Sequence, residues 1–251
     1  MTAAAIGANW RVGVADIDTS SWPPGYYSAD FVTESGDRER QIAQIIVRDP
    51  RAAAAVLLRL STNTYQAYNA WGGHSLYPRP GEPQSQGAVV SFDRPTPPDF
   101  FEYEVYLLRW LEALGRHAGF SVDCASNFDV HRDPELLLRH KVVISGAHDE
   151  YWSKEEFDAF EHRIFHRGGN TIFMGANAAY WQVRYTDLNA PQGNGARDAG
   201  EGRQLVSYKS LEDPILRRES DVDPMLLVTA WRRSRTSGSL DSRAPANWPR
   251  R

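Results

Sequence analysis

Three short stretches of this chain concentrate side chains that do chemistry. Residues 61–77 read STNTYQAYNAWGGHSLY, residues 142–153 read VVISGAHDEYWS, and residues 175–181 read GANAAYW. Together they hold Tyr65, Tyr68, Tyr77, Asp149 and Glu150, with His148 and Asn177 beside them. The set is rich in oxygen, and two uses suit it. Tyrosines that follow a strand serve as pocket walls, each an apolar ring with a polar tip. Phenol oxygens and a carboxylate are also hard donors for a cation. A phenol with an ordinary pKa of about 10 yields its proton only to a strongly Lewis-acidic ion, which ferric iron is and magnesium is not. Two phenolates and one carboxylate would leave coordination positions open for water and substrate, as a hydrolytic metal requires.

Other chemistries lack their signatures. No G-x-S-x-G or G-x-C-x-G elbow stands at a strand end. Cys124 follows an apolar strand without a framing glycine and reads as a buried structural thiol. Neither a G-x-G-x-x-G nor a Walker A loop follows a strand, so nucleotide binding is unsupported. His162 and His166 have the i, i+4 spacing of a zinc pair. They lie opposite the Phe157/Phe160/Ile164 face, however, and the Glu of H-E-x-x-H is missing, so a solvated helix surface is expected. Asp129 and His131 follow a strand and read as a surface loop.

The elements that must position these clusters follow from periodicity. Residues 53–61, 120–124, 141–147 and 170–176 read as strands, the first and third of them buried. Between them lie helical patterns: 99–119 with a Leu107/Leu111/Leu114 stripe ending at Gly119, 133–140 opened by Asp133 and Pro134, and 153–169 with a Ser153/Glu156 capping box. This alternation predicts an α/β fold, a mostly parallel sheet with helices on both faces, of the flavodoxin or class I glutamine amidotransferase type. Ligands of such sheets bind beyond the carboxyl ends of the strands, where all three clusters fall. Residues 1–50 form a β-rich segment, expected as the remnant of a sandwich. Residues 51–231 are the α/β domain. Residues 190–202 are a glycine-rich loop, 203–210 one more strand, and 232–251 an irregular tail expected to be disordered or loosely attached.

Bulk properties narrow the partners. The 251 residues carry 41% hydrophobic and 24% charged side chains with a net charge of −4, which suits a soluble protein with a sizeable core. No basic patch offers itself to nucleic acid. No apolar run approaches the ~20 residues of a membrane span, and the N-terminus lacks the pattern of a signal peptide. One cysteine excludes an internal disulfide, and a cytoplasmic location is expected.

The same clusters, with SFDRP (91–95), YEVYLLRWLE (103–112) and GANAAYWQVR (175–184), resemble the C-terminal α/β domain of the N,N-dimethylformamidase large (beta) subunit family. The likeness runs from about Trp22 to Trp231. It implies a mononuclear iron, ferric in state, held by two tyrosinates and one glutamate and hydrolysing a small formamide to formate and an amine. The glutamate of the family's His-x-Glu-Tyr motif falls on Glu150, and its neighbouring histidine on His148, which would orient Glu150 or shuttle a proton. The tyrosines fall on Tyr68 and Tyr77. Tyr68 is preferred over Tyr65 because the family pattern admits tryptophan at the latter place. Asn177 becomes a hydrogen-bond donor to the substrate oxygen or bound water, while Asp149 is expected to point away and cap the following helix. A small partner subunit or a homo-oligomer is implied. The chain departs from the family in the short spacing between Tyr68 and Tyr77, in its reduced N-terminal sandwich and in its tail, where relatives continue and supply a further acidic residue. The alternative expectation is a truncated, inactive or small-ligand-binding module of the same shell.

Overall fold

The computed structural model describes residues 2–8, 17–32, 34–36, 38–48, 54–97, 99–186 and 202–209. The irregular tail, the glycine-rich loop before residue 202 and residues 9–16 of the expected β-rich segment lie outside them.

The centre is a four-stranded, all-parallel sheet in the order β5-β3-β6-β8, formed by β3 (Val56–Leu60), β5 (Val122–Ser126), β6 (Val142–Gly146) and β8 (Asn170–Met174). Side chains alternate between its two faces, as the pleat requires. Val56, Leu58 and Leu60 join Cys124 and Ile144 under α3 (Val105–Ala118). Leu57, Ala125 and Val143 meet α5 (Lys154–Glu161), α4 (Asn127–Arg132) and the tight turn Pro134–Arg139 on the other face. Helices therefore cover both faces of the β5, β3 and β6 part of the sheet, whereas the edge strand β8 leaves Ile172, Phe173 and Met174 at the surface. The α3 stripe is shifted by one residue from the expected one: Val105, Leu108 and Leu111 are buried, whereas Leu114 stands at the surface. Leu107 and Leu108 are both apolar, so periodicity alone leaves the face ambiguous, and the wide turn Phe100–Glu104 that leads into α3 sets its rotation.

A second sheet was not anticipated. Strands β4 (Val89–Ser91), β7 (Tyr151–Ser153), β9 (Trp181–Thr186) and β10 (Gln204–Val206) pair in the order β4-β10-β9-β7. Three of the four strands hold three residues, too few for periodicity to show, and β10 alone falls in an expected strand, that at 203–210. Their core, Val90, Tyr151, Val183, Tyr185 and Leu205, packs against Ala67 of α2 (Thr62–Tyr68) and Leu76. Near the amino end of the chain, α1 (Ala3–Ile6) lies against β4, and Ala5 O accepts from Gln204 Nε2 at 2.8 Å. The hairpin β1 (Gly25–Val32) and β2 (Arg38–Val47) leans on the β5 edge, where Tyr26 stacks on Phe100 at 3.6 Å between ring centroids.

Two buried arginines tie the layers together. Arg163 fans onto the carbonyls of Leu137, His140, Lys141 and Asn170 at the amino ends of β6 and β8. Arg59, in the middle strand, is fully buried. It ion-pairs with Asp149 and with Glu156, whose Oε1 lies 3.2 Å from its Nε, and its guanidinium sits 5.0 Å from the Trp152 ring centroid. Asn127 Nδ2 donates to Glu156 at 3.0 Å, and Ser145 Oγ donates to Asp149 at 2.7 Å. Glu156 is thus spent on Arg59 and Asn127. Only half of the expected capping box at Ser153 forms, the bond from Glu156 N to Ser153 Oγ. Asp149 does not cap the helix either; burial beside a guanidinium outweighs a solvent-side cap.

Removing the cation should be severe. Arg59→Met leaves two buried carboxylates without their counter-charge, and a loss of about 3–5 kcal/mol in urea unfolding is expected. Glu104 gives a separate pH signature. It is fully buried, accepts from Ser61 N and Oγ, and burial pushes its pKa up to about 7, with Arg59 pulling it back. Between the unfolded value and about 7 the folded state holds a proton that the unfolded chain releases, so stability falls as pH rises through this window and levels off above it. Burial raises the Glu156 pKa to about 7 as well, so Glu104→Gln should remove only the Glu104 share of that slope, on the order of 3 kcal/mol between pH 5 and pH 8, as read from unfolding midpoints at a series of pH values.

Candidate functional site

The site is built where the two sheets meet, at the carboxyl end of the parallel one. After β3 the chain turns into α2, whose start is held by Asn127 Oδ1 accepting from Asn63 N at 3.0 Å. Asn63 in turn donates to Tyr151 O and accepts from Tyr185 Oη, both at 2.8 Å. The last carbonyls of a helix lack intrahelical partners. Here the buried Arg94 supplies them, donating to Gln66 O at 2.8 Å, Asn69 O at 2.9 Å and Trp71 O at 3.2 Å. That clamp fixes Tyr68 at the end of α2. The chain then doubles back so that Leu76 N bonds Ala67 O at 2.9 Å, and the Tyr77 ring stacks on Tyr68 at 4.2 Å.

Glu150 occupies the link between β6 and β7 and is 3% exposed. Its backbone is pinned from both sides: its N–H donates to Thr64 Oγ1 at 3.1 Å, and its carbonyl accepts from Trp181 N at 2.8 Å. Its carboxylate accepts from Tyr77 Oη at 2.6 Å, Tyr68 Oη at 3.1 Å and Asn177 Nδ2 at 3.1 Å. Three side chains, from α2, from the turn after it and from the β8–β9 link, thus meet at one carboxylate. Tyr65 does not join them. Its ring is in the core under α3, and its buried hydroxyl has no hydrogen-bond partner among the described residues.

Backbone strain gathers here. The non-glycine residues with positive φ among those described are Ala147, Asn177, Ala179 and Lys209, at 45° to 60°. The first three flank Glu150 in the β6–β7 and β8–β9 links, where Ala179 N bonds Asp149 O at 3.0 Å. Gly175 permits the two links to touch, since a Cβ there would fall 1.4 Å from Ala147 O. Such conformations persist only when the surroundings over-determine them, and they cluster at functional sites.

Lys209, three residues past β10, is a site residue that the sequence reading missed. It is 4% exposed, and its Nζ lies 3.0 Å from the Tyr77 ring centroid and 4.8 Å from that of Tyr151. No hydrogen-bond partner for this amine is present among the described residues. Burial pulls its pKa down to about 7, against the pull of Glu150. A lysine beyond the end of a short strand carries no local signal. Burial also raises the pKa of Tyr68 and of Tyr77, reinforced for both by the neighbouring Glu150.

His148 is exposed and makes no hydrogen bond with Glu150 or any other described residue; its ring meets Tyr103 edge-on at 6.4 Å. The orienting bonds to Glu150 come instead from Thr64 and Asn177. His148, Tyr103, Tyr68, Glu150 and Asn177 line a cavity of about 350 Å³. Asp129 and His131 prove to be helical rather than a surface loop. Asp129 closes a capping box with Ser126, and buried His131 bonds Ser153 Oγ at 2.9 Å and packs on Tyr185. The exposed His162 and His166 rings stack on one another beyond the far end of α5. Burial pushes the Cys124 thiol up, which suits a structural residue.

The family model described as N,N-dimethylformamidase beta subunit-like, C-terminal, matches residues 1–246. Two relatives share part of the chain. The N,N-dimethylformamidase beta subunit of Alcaligenes sp is 32% identical over 117 residues, and that of Paracoccus aminophilus is 31% identical over 117 residues. Each alignment covers 46% of this chain but 14% of the relative, so the chain spans a minor part of the proteins it matches. With nearly its whole length matched, the chain belongs to the N,N-dimethylformamidase beta subunit-like C-terminal family.

Proposed function

We propose that this chain is a hydrolase for a small formamide-type amide, with Tyr68, Tyr77 and Glu150 holding a mononuclear ferric ion. The observation that carries this reading is the convergence of both phenol oxygens on one buried carboxylate, within 2.6 Å and 3.1 Å. The donor set fits such an ion. All three oxygens are hard, and burial makes both phenols reluctant acids, so a cation of high charge is needed to displace their protons. Two phenolates and a carboxylate would balance a trivalent charge. When bound, the ion would supply Lewis acidity toward an amide carbonyl or a water.

The chain's own residues do the remaining work. The Thr64 and Trp181 bonds hold Glu150 still. Asn177, kept in its strained backbone, turns an amide N–H toward the same carboxylate and borders the cavity, where it would donate to the substrate oxygen. The Lys209 ammonium, held against the Tyr77 ring face, favours negative charge on that phenol oxygen. His148, at the cavity wall and free to reorient, would carry a proton to the departing amine. The relatives' names as beta subunits support assembly with a partner subunit.

Iron reconstitution tests the reading. Ferric loading should give a visible tyrosinate-to-iron absorption band, and loaded protein should release formate from N,N-dimethylformamide. Tyr77→Phe should weaken or shift the band and lower kcat/KM at least about 100-fold. Protein that takes up no iron and stays colourless would overturn the ligand assignment. A coloured protein that hydrolyses no formamide would leave a metal-binding module.

A further inference from the structure

The cavity beside Glu150 has a second carboxylate in its wall. Asp99 stands at the head of the turn Phe100–Glu104, yet its side chain makes no capping bond there. It has no ion pair with a described lysine, arginine or histidine. Burial, reinforced by the nearby Glu102 charge, raises its pKa above the usual carboxylate value. The contrast with Glu150 is sharp, because three donors from the chain already satisfy that group. A half-buried carboxylate without a cation is costly unless a ligand supplies one.

The rest of the wall suits a cation. Tyr68 and Tyr103 contribute exposed aromatic rings, and among the described residues no lysine or arginine lines the cavity. Ring faces attract ammonium groups, most strongly where water is partly excluded. Size points the same way. A volume of about 350 Å³ is roughly that of a dozen waters, more than a formyl group with one or two methyls on its nitrogen would fill.

We propose that the substrate is a formamide-type amide whose amine portion carries a primary or methylated ammonium group, seated between Asp99 and the rings of Tyr68 and Tyr103. This rests on the amide-hydrolase reading for the scissile end and on the cavity wall for the charged end.

The two parts separate experimentally. On iron-loaded protein, kcat/KM for N-(4-aminobutyl)formamide is compared with that for N-pentylformamide, a neutral chain of the same length. The charged substrate should be preferred by at least about tenfold, Asp99→Asn should collapse that ratio, and Asp99→Glu should retain most of it. Equal use of both substrates, or a ratio untouched by Asp99→Asn, overturns the inference. Calorimetric titration with butylammonium chloride reads the charged end without turnover. Binding that weakens at least about tenfold in Asp99→Asn supports the ammonium seat even if no amide is cleaved. Absent binding, or equal binding by both proteins, sinks it even if formamides are hydrolysed.

Discussion

The geometry of this protein depends on one fully buried cation. Arg59 projects from the central strand into an otherwise apolar layer and is tolerable there only because Asp149 and Glu156 meet it and Trp152 and Phe160 lie under it. Desolvating a guanidinium and two carboxylates is expensive, and such clusters give little net stability. Their effect is on uniqueness. Arg59 has one place to go, so Asp149 has one place to go, and the residue that follows Asp149 is Glu150. Asn127 extends the network, donating to Glu156 with its amide nitrogen and accepting from the start of α2 with its oxygen. The segment bearing Tyr68 and the segment bearing Glu150 are thereby referred to the same buried charge.

A second constraint is the seam between the sheets. The link from β6 to β7 carries Glu150, and the link from β8 to β9 carries Asn177; β7 and β9 then pair in parallel. The links are crowded, which is why Gly175 passes over Ala147 and why Ala147, Asn177 and Ala179 adopt left-handed backbone. The pairing of Trp181 N with Glu150 O belongs to the seam itself, so forming the second sheet and orienting the site carboxylate are one event.

The electrostatics of the site oppose one another. Burial makes both phenols hold their protons, and it also pulls down the pKa of Lys209, whose Nζ lies over the Tyr77 ring. In the protein alone the phenols satisfy Glu150 by donating to it. On the proposed reading a strong cation would take the place of those two phenol protons, and the three oxygens of Tyr68, Tyr77 and Glu150 are already gathered.

The sequence by itself determined the alternation of buried strands and helices, the family, and the clustering of oxygen-bearing side chains after strands. Each of these is a local pattern: hydrophobic period, capping and turn residues, and contiguous motifs. It did not reveal the second sheet, whose mostly three-residue strands are specified by pairing partners up to 117 residues apart, as Val206 is from Val89. Nor did it reveal Lys209 or the burial of Asp149, which have no local mark and depend on what packs across from them. His148 lies in the same motif as Glu150 yet stands exposed, while Tyr68, 82 residues away, touches the carboxylate. Residue type and spacing nominate candidates. Which of them share a point in space was decided by the tertiary structure, through a buried charge that admits one arrangement and a seam that two sheets must close together.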